Sequence, residues 1–249
     1  MAGPSFQHLV LTRFSIKTGW SLAEFPIEWL RRRLVLFEAY CLPSLAAQTT
    51  KDFRWIVYCD ESTDAECIAQ LRAFTSVCPQ LEVTITGPKR HPIRLLNSLV
   101  DPTVEIVVTT RIDSDDAMNV DLLAAVQQYV EPFAASRHEQ LLINHPRGYK
   151  LDEAAGVAYH SHIDNSPFHS LMETRTKGMK TVMSGNHSKL HQQYATHQDH
   201  SIPGWLQVVY GGNVRNNISS REIPADASVL PALFAVHPHL EPAATTQGA

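Results

Sequence analysis

The sequence predicts an α/β fold built on a mainly parallel sheet flanked by helices, and three observations predict it. Short runs rich in Val, Ile and Leu recur along the first 148 residues, helical periods separate them, and acids stand where several of the runs end. Strands alternating with helices in this way build βαβ units, and so a parallel sheet. The sharpest case is "VVTTRIDSDDAMN", Val107 to Asn119, where a strand-like run leads straight into one arginine and three aspartates.

Taken in order, "FQHLVLTRF" (Phe6 to Phe14) is a first strand. From Pro26 to Gln48, Trp29, Leu30, Arg33, Leu34, Phe37 and Tyr40 fall at spacings of three and four, the period of an amphipathic helix. Pro43 should break or re-cap it, since proline lacks the N–H the helix needs. "RWIVYCD" (Arg54 to Asp60) is a second strand. Thr63 and Glu66 make a capping-box pattern that opens a helix running to about Ser76. "LEVTIT" is a third strand, "PIRLLNSLV" a short helix and "EIVVTT" a fourth strand. Asn119 is expected to cap a helix from Val120 to Ala134, and "QLLIN" is a fifth strand. After Gly148 the pattern loosens: "GVAYHSHI" and "KTVMS" read as strands and "SLMETRTK" as a helix. The expected division is one domain over residues 1–222, with a nucleotide-binding half to about 148 and an acceptor-facing half from about 149. A Pro- and Ala-rich tail over 223–249 should be flexible or laid on the surface.

Composition narrows the class. The 249 residues are 44% hydrophobic and 18% charged with a net charge of −4, ordinary for a globular chain. That balance gives no support for general nucleic-acid binding. Arg31, Arg32 and Arg33 form the tightest cationic run; it reads first as a solvated helix face, with a membrane-surface or anion contact as the alternative. Cys41, Cys59, Cys67 and Cys78 make no Cys-x-x-Cys pair and read as reduced core thiols, which suits a cytoplasmic protein. No signal peptide or membrane span is evident, so any membrane contact is expected to be peripheral.

Parallel strands deliver their carboxyl ends to a ligand crevice. Asp113, Asp115 and Asp116 should project there from the fourth strand, with Arg111 just before them. Residues two apart in an extended segment point the same way, so Asp113 and Asp115 can face one ion while Asp116 supports the loop or meets substrate. Hard cations such as Mg²⁺ or Mn²⁺ take carboxylate and phosphate oxygens together, which makes this the chemistry of a metal-bridged diphosphate. The bland alternative is acids that merely cap the next helix. Thr12 and Arg13 end the first strand and Asp60 the second, placing them to meet a nucleotide; Asp60 is equally well a turn former. Arg13 has no core role at a strand end and can bind phosphate bidentately.

The blocks "LTRFSIKTGW", "WLRRRLVLFEAYCLPSLAAQTTKDFRWIVYCD", "TTRIDSDDAMNVDLL", "FHSLMETRTKG" and "GWLQVVYGGNV" together resemble the bacterial rhamnosyltransferase family, from about His8 to Asn217. The resemblance implies a GT-A-like, Rossmann-type sheet and transfer of a hexose, rhamnose by the family's label, from a nucleotide-diphosphate sugar to a saccharide or small-molecule acceptor. It also implies a divalent metal at Asp113-Ser114-Asp115. One departure is Tyr210, where the family pattern leads us to expect histidine.

An inverting transfer needs a carboxylate to take the acceptor's proton. Glu173, expected at a helix start inside a family block, is the first candidate, with Asp199 and then Asp164 in reserve. His187, and after it His200, is the histidine expected to join the metal; the pairs His160/His162 and His197/His200 have no cysteine nearby to complete a zinc site. Trp205 and Gln207 can stack on and hydrogen-bond a sugar, although Trp in such a run is commonly core. Two rival functions share these features. A nucleotidyltransferase also uses strand-end acids, but typically carries a Gly-rich basic loop where this chain has "TRFSIKTGW". A non-catalytic carbohydrate-binding or scaffold protein would keep the fold without turnover. A homo-oligomer is compatible with either reading.

Overall fold

The computed structural model describes residues 3–17, 25–87, 92–136, 138–176, 178–185, 187–211, 217–220 and 222–236; the side chains at 93, 94, 187 and 188 lie outside that description. The first sheet has seven strands. Four of them are β1 (Phe6–Ser15), β2 (Arg54–Asp60), β3 (Leu81–Thr86) and β4 (Ile106–Asp113); the others are β6 (Gln140–Asn144), β9 (Ser170–Thr174) and β10 (Thr196–Gln198), in the order β10-β6-β9-β4-β1-β2-β3. All run one way except β9, which is antiparallel to both its neighbours. The expected parallel α/β sheet is therefore present. Seven of the eight residues of β4 are buried, as a strand covered on both faces requires.

One face is covered by a helix that winds from α1 (Ile27–Leu36) through a π turn at Phe37–Cys41 into α2 (Leu42–Ala46). Pro43 does not end this helix. The widened turn, in which the Leu42 N–H reaches the Phe37 carbonyl, lies just ahead of the proline, at the place where an ordinary turn would need the N–H it lacks. Phe37 stacks on Trp55 at 5.2 Å and on Phe74 at 5.9 Å, and meets the edge of Phe14 at 6.0 Å. Aromatic pairs of this kind add about 0.5–1.5 kcal/mol each beyond the area they bury. The other face is covered by α4 (Pro92–Leu99) and by residues between 179 and 194, whose Met179, Val182 and Leu190 pack on Leu9, Leu11 and Ile56.

The helix α3 (Ala65–Ala73) is capped by Asp64, which accepts from the Glu66 and Cys67 N–H groups, and not by the expected Thr63. Thr63 instead shares a 2.7 Å hydrogen bond with Ser15. The helix expected over 120–134 divides into α5 (Leu122–Gln127) and α6 (Val130–Ala135), and the Asn119 carboxamide accepts the Asp121 N–H ahead of it.

A second sheet was not anticipated. It contains β5 (Ala117–Met118), β7 (Arg147–Asp152), β8 (Val157–His162), β11 (Trp205–Val209) and β12 (Ile223–Ala225), ordered β12-β8-β7-β11-β5. The chain leaves β4 in the first sheet and enters β5 in the second within a few residues, so Ser114–Asp116 bridge the two.

Three expectations are corrected here. "SLMET" is the strand β9 and not a helix, because its backbone pairs with β4 and β6. "KTVMS" is turn and not strand. The start of the tail is core and not surface. After β12, α7 (Leu230–Phe234) buries Leu230 and Phe234 completely, with Val236, against Leu36 and Leu206. Residues 237–249 lie outside the described residues. All four cysteines are buried and free, as expected.

Candidate functional site

β1, β2, β3, β4, β6 and β10 share one direction, so Arg13, Asp60, Thr86, Asp113, Asn144 and Gln198 mark a single carboxyl edge. Arg13 and Asp113 are partners in register on neighbouring strands. Beside them β1 slips its register against β2 between Arg13 and Ser15, an irregularity of the sort that re-aims strand ends at sites.

Three guanidiniums meet three carboxyls at this point. Arg111 Nη2 lies 3.0 and 3.3 Å from the two oxygens of Asp113, and Arg13 Nη2 lies 4.0 Å from Asp113 Oδ1. Arg33 Nη1, reaching down from α1, is 3.0 Å from Asp115 Oδ1. The Tyr210 hydroxyl donates to Asp115 Oδ2 at 3.0 Å. Asp116 accepts the Val208 N–H at 2.9 Å and so staples the loop to β11.

The electrostatics differ across the cluster. Burial raises the Asp113 carboxyl, but Arg111, Arg13 and Arg33 outweigh it and bring it down to about 2. Asp116, fully buried, is pushed well above the usual carboxylate range by desolvation and then by Asp115 and Asp113. The Arg13 guanidinium is lowered by burial first and then by Arg111, with Arg33 adding to it. Positive charge is therefore crowded around the mouth of the crevice.

Next to it, at the ends of β2 and β3, lies a cleft of ≈ 310 Å³ lined by Ile16, Lys17, Asp60, Ser62 and Thr86 among others. Asp60 accepts from the Ser62 N–H and hydroxyl at 3.0 and 2.6 Å and faces Lys17 at 3.7 Å. It both shapes a turn and borders the cleft. Thr12, expected at the nucleotide, is fully buried and accepts the Trp55 indole N–H at 2.9 Å. Its side chain belongs to the core.

At the other end of the edge, Asp199 follows β10. His145 Nε2 lies 3.2 Å from Asp199 Oδ2, and the Ser201 N–H donates to Oδ1 at 2.7 Å. The hydrogen bond from His145 is the largest of the causes that hold the Asp199 carboxyl well below its ordinary range. Beyond this pair a second cleft of ≈ 670 Å³ opens between β7, β8 and β12, lined by Arg147, Tyr149, His160, His162, Pro203 and Glu222 among others. His160 packs on Tyr149 with ring centroids 5.0 Å apart, and His162 on His200 at 6.4 Å.

Several expected site residues stand elsewhere. Glu173 lies on β9 opposite Val107, six residues along β4 from Asp113, or about 20 Å at the usual rise of a strand. Its buried carboxylate accepts from the Lys180 and Thr181 N–H groups and from Gln140, at 2.8–2.9 Å. Such a group holds a loop to a sheet and does not reach the cluster. Trp205 is fully buried, stacks on Phe168 at 5.5 Å and donates to the His145 carbonyl, leaving no face for a sugar. Gly148 is required beneath it, since any Cβ there would overlap the indole. Gln207 is nearly buried in β11 opposite Lys150. Asp164 is exposed and pairs with His162 at 3.0 Å. The His187 side chain lies outside the described residues.

Two residues of the candidate site, Arg33 and His145, lie outside the expectations from sequence. Arg33 was read as part of a solvated run, yet it falls on the same helical stripe as Trp29, Leu30 and Phe37, which was the available signal; its guanidinium also sits 4.9 Å over the Trp29 ring. His145 follows β6 directly and so falls under the same strand-end rule that identified Asp113.

Both oxygens of Asp115 are engaged, one by a cation and one by a phenol, and those of Asp113 face Arg111 and Arg13. Among the described residues no group of three or more His, Cys, Asp or Glu is arranged to hold a metal. As these side chains stand, the two aspartates do not form a metal site.

A mainly parallel sheet with arginines, acids and a cleft at its carboxyl edge is the arrangement by which open α/β folds bind ligands. The chain belongs to the family described as "Putative rhamnosyl transferase", which matches residues 7–222. No curated protein matches it. Among solved structures it is similar to S. aureus TarS 1–349 in complex with UDP-GlcNAc, at 15% identity and TM-score 0.46, over 86% of this chain and 62% of that one. It is similar too to S. aureus TarS 1–349 alone, at 14% identity and TM-score 0.46, over 81% of this chain and 60% of that one. The chain thus spans about 60% of the length of these TarS structures. At such identity the likeness is one of chain path alone. No helix among the described residues is long and apolar enough to cross a membrane.

Proposed function

We propose that this protein transfers a hexose, rhamnose being the family's own candidate, from a nucleotide-diphosphate sugar to a saccharide or small-molecule acceptor. The observation that carries the reading is the row Asp60, Arg13, Asp113 on three neighbouring strand ends, with the Lys17–Asp60 cleft at one end of it. A base and ribose fit the cleft, and the diphosphate then falls beside Arg13 and Arg111.

In the reaction, the bond from the anomeric carbon to the diphosphate oxygen breaks and the acceptor oxygen bonds to that carbon. The nucleoside diphosphate leaves with the bonding electrons, and the acceptor's proton passes to a base. We assign that base to the His145–Asp199 pair and not to Glu173, because the pair stands at the carboxyl edge, directly after β6 and β10, while Glu173 lies far down β9. Asp199, strongly held as a carboxylate, orients the imidazole and stabilises its charge as the proton arrives. The larger cleft, with Tyr149 and His160 on its walls, is the acceptor compartment in this reading.

The test is turnover of UDP-, GDP- and dTDP-hexoses with a panel of saccharide acceptors, following release of nucleoside diphosphate. Release from one donor, lost in Asp199→Asn while donor binding persists, is the expected result. No release from any donor, together with no binding of any of the three diphosphates, would sink the reading.

A further inference from the structure

The carboxylates expected to hold a divalent ion are already neutralised by this chain's own cations, and the consequence reaches the donor. We propose that the donor diphosphate is held by the guanidiniums of Arg13, Arg33 and Arg111, and that this chain binds it without a divalent metal. The inference rests on the nucleotide-diphosphate reading above and concerns what carries the positive charge in that site.

Three features support it. First, each oxygen of Asp115 already faces a partner from this chain: Oδ1 lies beside Arg33 Nη1 and Oδ2 accepts from Tyr210, each at 3.0 Å. Where the family pattern leads one to expect histidine, this chain carries the phenol that donates to Asp115. Second, Arg13 and Arg33 have donors in reserve. A guanidinium carries five N–H groups, and Arg13 makes one 4.0 Å ion pair while 37% of its side-chain surface stays exposed at the crevice. The buried Nε of Arg33 has no hydrogen-bond partner among the described residues. A buried donor left unmade is costly, and a phosphate oxygen would satisfy it. Third, the placement is convergent: Arg13 and Arg111 come from neighbouring strands, in register at Arg13–Asp113 and Leu11–Arg111, and Arg33 comes down from the helix above. Planar forks arriving from separate elements suit the separate oxygens of a diphosphate, and arginine is the side chain that binds them bidentately.

The same cluster explains why the aspartates are there. Asp113 and Asp115 hold Arg111 and Arg33 in place and offset their mutual repulsion, so the forks are already oriented when the anion arrives.

The experiment is calorimetric titration of UDP, GDP and dTDP into the full chain, each once with Mn²⁺ and once with EDTA. We expect at least one of them to bind in EDTA with an affinity within about threefold of its value in Mn²⁺. Arg13→Met, at a half-exposed position with an unchanged melting temperature, should weaken that binding about tenfold through loss of one charge-assisted contact. Binding that requires Mn²⁺ and disappears in EDTA would overturn the inference while leaving the donor reading intact. Absence of binding in both conditions would overturn both.

Discussion

Tyr210 donates its phenolic hydrogen to Asp115 Oδ2 across 3.0 Å, joining the end of β11 to the loop that leaves β4. The bond couples the two sheets at the place where the acids and arginines meet. Burial and then Asp115 raise the phenol above its ordinary range, so it stays a donor at every working pH.

Tyr210→Phe therefore leaves a nearly buried carboxylate oxygen without its partner. The loss should be about 1–2 kcal/mol, a fall of roughly 3–6 °C in melting temperature for a chain of this size. An unchanged melting temperature would mean that water replaces the phenol without cost.

Arg33→Met removes the cation facing Asp115. A fully buried pair broken on one side costs about 3–5 kcal/mol; with Arg33 20% and Asp115 8% exposed, about 2–3 kcal/mol is the expected loss. Adding Asp115→Asn should return part of it, because the carboxylate is then no longer unpaired. Urea midpoints of the two single variants and the double would decide it. Strict additivity is the outcome against the pairing.

Glu173→Gln separates a structural carboxylate from a catalytic one. Its amide N–H₂ would replace one of the two oxygens and face either the Lys180 or the Thr181 N–H that the carboxylate now accepts, for a loss of about 1–3 kcal/mol. Turnover per folded molecule should change less than about twofold, whereas Asp199→Asn should lower it about 100-fold or more. Comparable losses of turnover in both would restore Glu173 as a candidate base.

His8 makes acid stability predictable. Desolvation lowers its imidazole from the ordinary 6.5 to about 3. Gln127 donates to Nδ1 at 3.2 Å, so Nε2 carries the proton towards Thr110 Oγ1 at 2.7 Å. Above 6.5 the ring is neutral in both folded and unfolded chains. Between 6.5 and 3 only the unfolded chain takes up the proton, so stability falls as pH falls, by up to about 1.4 kcal/mol per pH unit. His8→Gln should flatten that limb between about pH 6 and 4 in urea denaturation. A limb as steep as wild type would assign the loss to other groups.

The strands β1 to β4 and β6 were legible because each is a short run with little to compete against burial, bounded by turn residues. β9 was not. Leu171, Met172 and Glu173 favour helix locally, and five residues carry no period long enough to contradict that preference. Only pairing with β4 and β6, sixty and thirty residues away, makes them a strand, and it makes Glu173 a buried anchor rather than an exposed acid. The start of the tail failed for a related reason: Pro and Ala dominate its composition, but Leu230, Phe234 and Val236 find cover against the second sheet. Arg33 was read by its neighbours in sequence, Arg31 and Arg32, when its helical stripe was the better guide.

By itself, the sequence determined the alternation of strand and helix, the mainly parallel sheet and the strand-end position of Arg13, Asp60 and Asp113, because these follow from local pattern and from the direction parallel strands must share. The tertiary structure alone decided what the acids face. Which cation meets Asp115, whether Trp205 is core, and that Asp199 pairs with His145 depend on groups tens of residues apart or more. Such contacts are set by how the two sheets and the helix above them pack, and side-chain spacing along the chain carries no record of them.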